Sequence, residues 1–216
     1  MKTFKTYITE GKSETDFLVD TVYSKYIGEY SKNQPECVGW LDGSENALIR
    51  NQKIYEAGIN EKDSVLDVGC GVAHFHTYLT NQGWNGKYLG FDPNKKAIDV
   101  IDENINAVHG TIEDLDDTKY DWVVATGVFN LGLTEDLTFS IIHNMICRAN
   151  KGVVFNMLKY PYAPPFEGHD NITYESYHPN YVRNKLLKYD NDRIEIAKNY
   201  LEDNTEFTVY FYKENK

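Results

Sequence analysis

Cysteine is scarce in this chain: Cys37, Cys70 and Cys147 are the only three in 216 residues, and no two stand at Cys-x-x-Cys spacing. The odd count and the spacing exclude a disulfide framework and a structural zinc site, and they fit a reducing, intracellular compartment. A single domain of this length buries roughly 70–75% of its unfolded surface and needs no covalent staple. Long apolar runs are missing too. The opening Met1-Lys2-Thr3-Phe4-Lys5-Thr6-Tyr7 lacks a signal-peptide core. Nothing approaches the ~20 apolar residues of a membrane-spanning helix, so a cytoplasmic protein with no membrane attachment is expected. Basic charge is the third shortage, with 22 Lys and Arg against 33 Asp and Glu and a net charge of −11. A duplex phosphate backbone demands clustered cations. Only Arg183, Lys185 and Lys188 come near a cluster, so nucleic acid is disfavoured as a partner. No tight Asp/His group stands at metal-ligand spacing, and no metal is expected. Tyrosine, by contrast, is abundant at 17; these rings either line a pocket for a sugar or another polar ring, or form half-buried surface.

What is present is organised around residues 64–75. Val65, Leu66 and Val68 form a short buried strand that runs into Gly69 and Gly71, and a helix opens beyond them. An aliphatic run stopped by closely spaced glycines suits a nucleotide-type ligand at the carboxyl end of a parallel strand. Asp67 is the odd residue, because a carboxylate there would repel a phosphate on the turn. The spacing is acidic-x-Gly-x-Gly-x-Ala, not Gly-x-Gly-x-x-Gly. A ligand with a cationic group near the turn is therefore expected, not a pyrophosphate.

Ahead of this stretch, Leu18, Val22, Tyr26 and Tyr30 recur every four residues beside Phe17, Tyr23 and Ile27. That predicts an amphipathic helix of about four turns ending near Ser31. A second helix is predicted over residues 44–57, stopped by Gly58. From Lys62 onward strands and helices alternate. Strands are predicted at 65–68, 87–91, 107–110, 122–126 and 153–158, and helices at 72–81, 95–104 and 135–149. A further helix covers 181–189, and strands at 193–201 and 205–213 close the chain. This is the pattern of an α/β fold: a doubly wound, mostly parallel seven-stranded sheet with a terminal antiparallel strand pair and an N-terminal helical addition. Phe207, Val209 and Phe211 alternate as in a half-buried antiparallel strand. Residues 1–57 are expected to extend the same domain as 58–216. Residues 159–178 form a long connection without periodicity, which is usually functional or disordered.

With these strands placed, the sequence resembles the class I S-adenosylmethionine-dependent methyltransferases over roughly residues 58–213. Residues 65–73 look like the family's first motif, with Ala73 where a third glycine is common. Asp92, followed by Pro93, ends the second strand, where the family keeps an acid for the ribose hydroxyls. Residues 110–115 look like the adenine turn, and 120–131 match the fourth strand. The resemblance implies S-adenosylmethionine as cofactor, with Asp67, Gly69, Cys70 and Gly71 in the first motif and Asp92 and Pro93 at the ribose. It further implies Thr111, Ile112 and Glu113 at the adenine, and Thr126 and Gly127 at the amino-acid tail. Thr111 stands where many relatives carry Asp; either it or Glu113 accepts from the adenine amine, while the Ile112 backbone meets the ring. The residue types agree independently. Gly69 and Gly71 let a backbone approach a ligand closely, and Asp92 suits a ribose diol. Arg50, the only arginine before residue 148, is a candidate for the cofactor carboxylate or a member of a surface salt bridge. Trp40 packs over the cofactor or anchors the N-terminal helices.

Methyl transfer is an in-line displacement, and the protein mainly supplies alignment and a dry pocket. A general base is required only if the acceptor enters protonated. Candidates are His178, Tyr177 and Asn130, with His169 and Asp170 in the long connection. A structural role is the alternative for each histidine. Phe129-Asn130-Leu131 lacks the two prolines of the Asn-Pro-Pro-Tyr signature of amino-methyltransferases. The expected acceptor is an oxygen or nitrogen of a small metabolite or glycan. The alternatives are a protein acceptor and a non-catalytic cofactor-binding module. A polyamine synthase would need paired acids close after strand four, where only Glu135 and Asp136 stand; the motif spacing disfavours a nicotinamide dehydrogenase.

Overall fold

A four-residue strand that is apolar but for one acid belongs in the middle of a sheet. In the computed structural model, which describes Val19 and residues 23–130, 133–161, 175–189 and 193–214, β1 (Val65–Val68) takes that place with all its residues buried. It pairs in parallel with β2 (Tyr88–Asp92) on one side and β4 (Tyr120–Ala125) on the other. β3 (Ala107–His109) lies beyond β2, and β5 (Ala149–Lys159) beyond β4, again in parallel. β8 (Glu206–Tyr212) runs antiparallel to β5 and to the edge strand β7 (Arg193–Lys198), giving the order β3-β2-β1-β4-β5-β8-β7. An eighth strand corrects the expected seven. β6 (Ser176–Tyr177) pairs with Leu158 and Lys159 of β5, whose other edge β8 already holds at Leu158. Two residues carry no alternation for a sequence reading to find.

The helices α1 (Ser24–Glu29) and α2 (Ser44–Tyr55) precede the sheet. They are followed by α3 (His74–Asn81), α4 (Lys95–Asp99), α5 (Glu135–Arg148) and α6 (Pro179–Leu186). Both sheet faces are covered, and residues of one strand alternate between two cores. Val123, Val153, Phe155, Val209 and Phe211 pack with Ile142 and Met145 of α5 and Val182 of α6. Trp122, Val124, Val154 and Tyr210 pack with Ile54 of α2 and Phe75 and Leu79 of α3. This period of two is the pleat expressed as packing.

Two of these expectations are corrected, and a third falls largely outside the described residues. β8 is buried on both faces from Glu206 to Phe211, because it sits between β5 and β7 and is not an edge. α4 spans five residues where the pattern predicts ten. Ala97 is its one buried residue, and Asp99, Val100, Asp102 and Glu103 are exposed, so no apolar stripe holds a longer helix to the sheet. The first helix is described as α1 alone; the earlier part of that predicted element lies outside the described residues except Val19 and Tyr23.

Candidate functional site

β1 ends at Val68, and the chain then turns through Gly69 (φ 68°), Gly71 (φ 54°) and Ala73 (φ 65°) before α3 begins. Only glycine enters this left-handed region freely, and Ala73 shows that the third position accepts a Cβ there. A packing reason for the two glycines stands beside the expected ligand approach. A Cβ on Gly69 would stand 2.5 Å from Val128 Cγ2, and one on Gly71 would stand 2.8 Å from Val38 Cγ1. The turn is clamped between a residue just past β4 and one from the N-terminal segment. Gly127 (φ 76°) repeats the arrangement, with Trp40 Nε1 2.7 Å from where its Cβ would be.

Two acids flank the turn. Asp67 is buried and accepts a hydrogen bond from the Tyr88 hydroxyl at 2.7 Å. Burial pushes its carboxyl up to about 7 against the effect of the Tyr88 hydrogen bond, and the charge of Asp92 adds to the rise. Asp92 Oδ2 accepts from the Gly71 N–H at 2.9 Å, and Oδ1 accepts from the Asn94 N–H at 2.7 Å. Burial raises its carboxyl as well, opposed by these two N–H groups. Each carboxylate oxygen has two lone pairs, so both remain able to accept from a diol. Cys70, buried beside the pair, is pushed well up by burial and then by Asp67 and Asp92, which makes it a neutral wall and not a nucleophile.

Around this turn lies a cavity of about 380 Å³. Asp67, Gly69, Cys70 and Gly71 line it from the turn, and Asp92 and Pro93 from the end of β2. Thr111, Ile112 and Glu113 line it beyond β3, and Thr126 and Gly127 beyond β4. The Thr111 hydroxyl and N–H are both tied to Asp114 Oδ2, at 3.1 and 2.8 Å, which leaves the Glu113 carboxylate without such a local bond. Val19, Tyr23, Ile27, Cys37, Val38 and Trp40 line the cavity from the N-terminal side. That segment is pinned in place by three contacts. Ser24 Oγ donates to Asn94 Oδ1 at 3.2 Å, His74 Nε2 meets the Lys32 carbonyl at 2.7 Å, and Lys32 pairs with Asp102. Among the described residues no lysine or arginine lines the cavity, and His74, whose pKa burial lowers, is its one imidazole.

Arg50 lies elsewhere. Its guanidinium donates to Glu206 Oε1 at 2.9 and 2.6 Å and to Asp42 at 2.9 and 2.5 Å, while its face covers Trp40 at 5.4 Å. Burial works against both charges, yet Glu206 and Asp42 raise the arginine further and the arginine holds Asp42 below its ordinary value. From Glu206 the chain of bonds continues through Asn156 Nδ2 at 2.7 Å, and Asn156 Oδ1 accepts the Gly127 N–H at 2.7 Å. Arg50 therefore acts on the cavity wall through Trp40 and Gly127 and does not line it. Trp40 lines the cavity and lies against Arg50 of α2.

Residues 59–162 match the sequence family described as "Methyltransferase domain". Residues 59–162, just under half of the chain, thus carry a methyltransferase domain. The methyltransferase shares its fold with magnesium protoporphyrin IX methyltransferase from Synechocystis, solved with bound S-adenosylmethionine. The TM-score is 0.66 at 14% identity over 93% of this chain and 97% of that one. It also matches the plantazolicin methyltransferase, with a TM-score of 0.67 at 12% identity over 94% and 95%. A methyltransferase from Archaeoglobus fulgidus matches with a TM-score of 0.61 at 14% identity over 89% and 100%. At such identities the likeness establishes the fold. No curated protein matches the sequence significantly.

The described catalytic candidates of the methyltransferase, Tyr177, His178 and Asn130, are not among the residues that line the cavity. Tyr177 is buried in the core, with its hydroxyl 3.4 Å from Thr138 Oγ1. His178 is exposed and caps α6, its Nδ1 accepting the Asn180 N–H at 3.3 Å. The Asn130 carbonyl accepts the Glu175 N–H at 3.2 Å, and its Oδ1 is buried without a partner. His169 and Asp170 lie outside the described residues. Sequence reasoning missed Asn51, Asn94, Val38 and His74 as lining residues. Asn51 did leave a signal, being a polar residue on the buried stripe of α2 with Ala47 and Ile54. Among the described residues no three His, Cys, Asp or Glu side chains form a metal-holding group, and no described helix is long and apolar enough to cross a membrane.

Proposed function

We propose that the enzyme transfers the methyl group of S-adenosylmethionine to an oxygen or nitrogen of a small metabolite or glycan. The observation that carries this reading is the lining of one side of the cavity by the chain's own N-terminal side chains, Tyr23, Val38 and Trp40 among them. Such a wall suits a compact acceptor better than a polymer. In this reading Asp92 receives the ribose diol, the Ile112 backbone and Glu113 meet the adenine, and the Thr126–Gly127 bend meets the amino-acid end. Asp67 and Asp92 supply negative charge for a cationic ligand. The cofactor supplies an activated methyl group; the protein supplies alignment and a dry surround. The absence of lysine and arginine from the described wall argues against a polyanionic acceptor. The solved structures named for magnesium protoporphyrin IX and for plantazolicin show that this fold serves more than one acceptor.

The test is a panel of hydroxylated and aminated metabolites, oligosaccharides and folded proteins, incubated with S-adenosylmethionine and scored by release of S-adenosylhomocysteine. Turnover with members of the first two groups is expected. Turnover with proteins alone would replace the acceptor class. Tight cofactor binding with no acceptor in any group would favour the non-catalytic module.

A further inference from the structure

Away from the cavity, the end of α5 joins a nucleophile to a base. Cys147 is exposed, whereas Cys37 and Cys70 are buried. Burial, helped by Glu36, pushes the Cys37 thiol up to about 11, and Cys70 is raised well above its ordinary value. His143 precedes Cys147 by one turn on the same exposed face, and its Nε2 lies 3.6 Å from the sulfur. Its Nδ1 lies 2.8 Å from the Tyr189 hydroxyl, and the two rings stack at 5.8 Å with 22° between their planes. Tyr189 is fixed in turn by the bond from its N–H to the Leu186 carbonyl and by an edge contact with Phe211. A tyrosine hydroxyl accepts as well as donates. With Nδ1–H donating to it, the Nε2 lone pair faces the thiol, and the protonated ring keeps a partner at each nitrogen. Cations gather at the same end. Lys119 donates to the Cys147 carbonyl, and Lys213 donates to the Ile146 and Ala149 carbonyls at 3.2 and 3.0 Å. Lys188 lies over the Tyr189 ring at 5.2 Å. The end of a helix is ordinarily a negative pole that opposes an anionic sulfur, and these ammonium groups offset it.

We propose that Cys147 is a reversible S-thiolation site for a low-molecular-weight disulfide bearing carboxylates, with His143 as its base and Tyr189 as a positioning residue. Cys147 Sγ attacks one sulfur of the disulfide while its proton passes to His143 Nε2. The new S–S bond forms as the S–S bond of the disulfide breaks, and the departing thiolate takes the proton back from His143. The protein thiol is oxidised and the incoming disulfide reduced by the same electron pair. Lys119 and Lys188 favour a reagent that carries negative charge. Excess thiol reverses the exchange. Cys147, His143 and Tyr189 are not among the residues that line the cavity, so the site is separate from it.

The full chain, incubated with glutathione disulfide and followed by intact mass and peptide mapping, tests this. One glutathionyl group on Cys147, removed by dithiothreitol and absent from Cys147→Ser, is expected. An unassisted thiol is only a few per cent thiolate at about pH 7, so His143→Gln should slow the reaction by about tenfold. Free imidazole should restore part of the lost rate. Tyr189→Phe keeps the ring and removes the hydroxyl; it should slow the reaction too, and nitrogen-15 NMR should show His143 losing its preference for one tautomer. Rates relative to free cysteine should be higher with glutathione disulfide than with the neutral bis(2-hydroxyethyl) disulfide. Lys119→Gln combined with Lys188→Gln should erase that difference. Equal rates for the wild type and His143→Gln overturn the proposal, as does an adduct on Cys37 or Cys70 ahead of Cys147. Equal relative rates with the charged and neutral disulfides overturn the assigned class of reagent.

Discussion

Asp67 shows how one residue is set by its surroundings. It is 2% exposed, has Tyr88 as its hydrogen-bond donor and shares its region with Asp92, so burial lifts its carboxyl to about 7. In the unfolded chain an aspartate titrates near 4. Between these values the native state binds a proton that the unfolded state does not, so the Asp67 contribution to stability falls as pH rises from about 4 to about 7. Asp42 and Asp63, held below the ordinary value by their cationic partners and hydrogen bonds although burial opposes this, contribute with the opposite sign at the acid end. A comparison of variants isolates the Asp67 effect. Urea unfolding at pH 5 and pH 8 is expected to show Asp67→Asn gaining on the wild type at the higher pH. An equal difference at both pH values would mean that Asp67 titrates normally.

Between elements, the decisive contact is the clamp that joins α2 to β8 and the loop before α2. Arg50 is buried between Glu206 and Asp42, and Asn156 passes the constraint on to Gly127. Removing one partner of such a set leaves a buried charge unpaired. Arg50→Met should therefore lower the unfolding free energy by about 3–5 kcal/mol, measured by urea denaturation. A loss under about 1 kcal/mol would place Arg50 with ordinary surface pairs. The sequence left Arg50 between a cofactor contact and a salt bridge, because helical phase decides whether residue 50 or 51 meets the cavity, and composition does not encode that phase. The βαβ alternation was legible because parallel strands buried on both faces read as apolar runs, as Val65–Val68 does. The end of α4 and the two-residue β6 were not, since neither element is long enough to repeat its pattern twice. The glycine turn was legible as a motif. Its reason, the packing of Val38 and Val128 against the two glycines, depends on residues roughly 30 positions before and 60 after, beyond the reach of local reading.

At the scale of the molecule, the sheet brings the ends of β1, β2, β3 and β4 to one edge, and the N-terminal segment folds back over them. The cavity is thus lined by residues spread from Val19 to Ile141, drawn from strand ends, helices and the loops between them. The overall charge of −11 agrees with a wall that carries Asp67, Asp92 and Glu113 and no described lysine or arginine. The central claim is that this cavity holds S-adenosylmethionine or its demethylated product. Thermal unfolding with increasing S-adenosylhomocysteine, paired with calorimetric titration, tests it most directly. The account predicts saturable binding of one ligand per chain and a melting temperature that climbs with concentration, equivalent to about 2.7 kcal/mol at one hundred times the dissociation constant. An unchanged melting temperature at millimolar ligand, with no heat of binding, would contradict it.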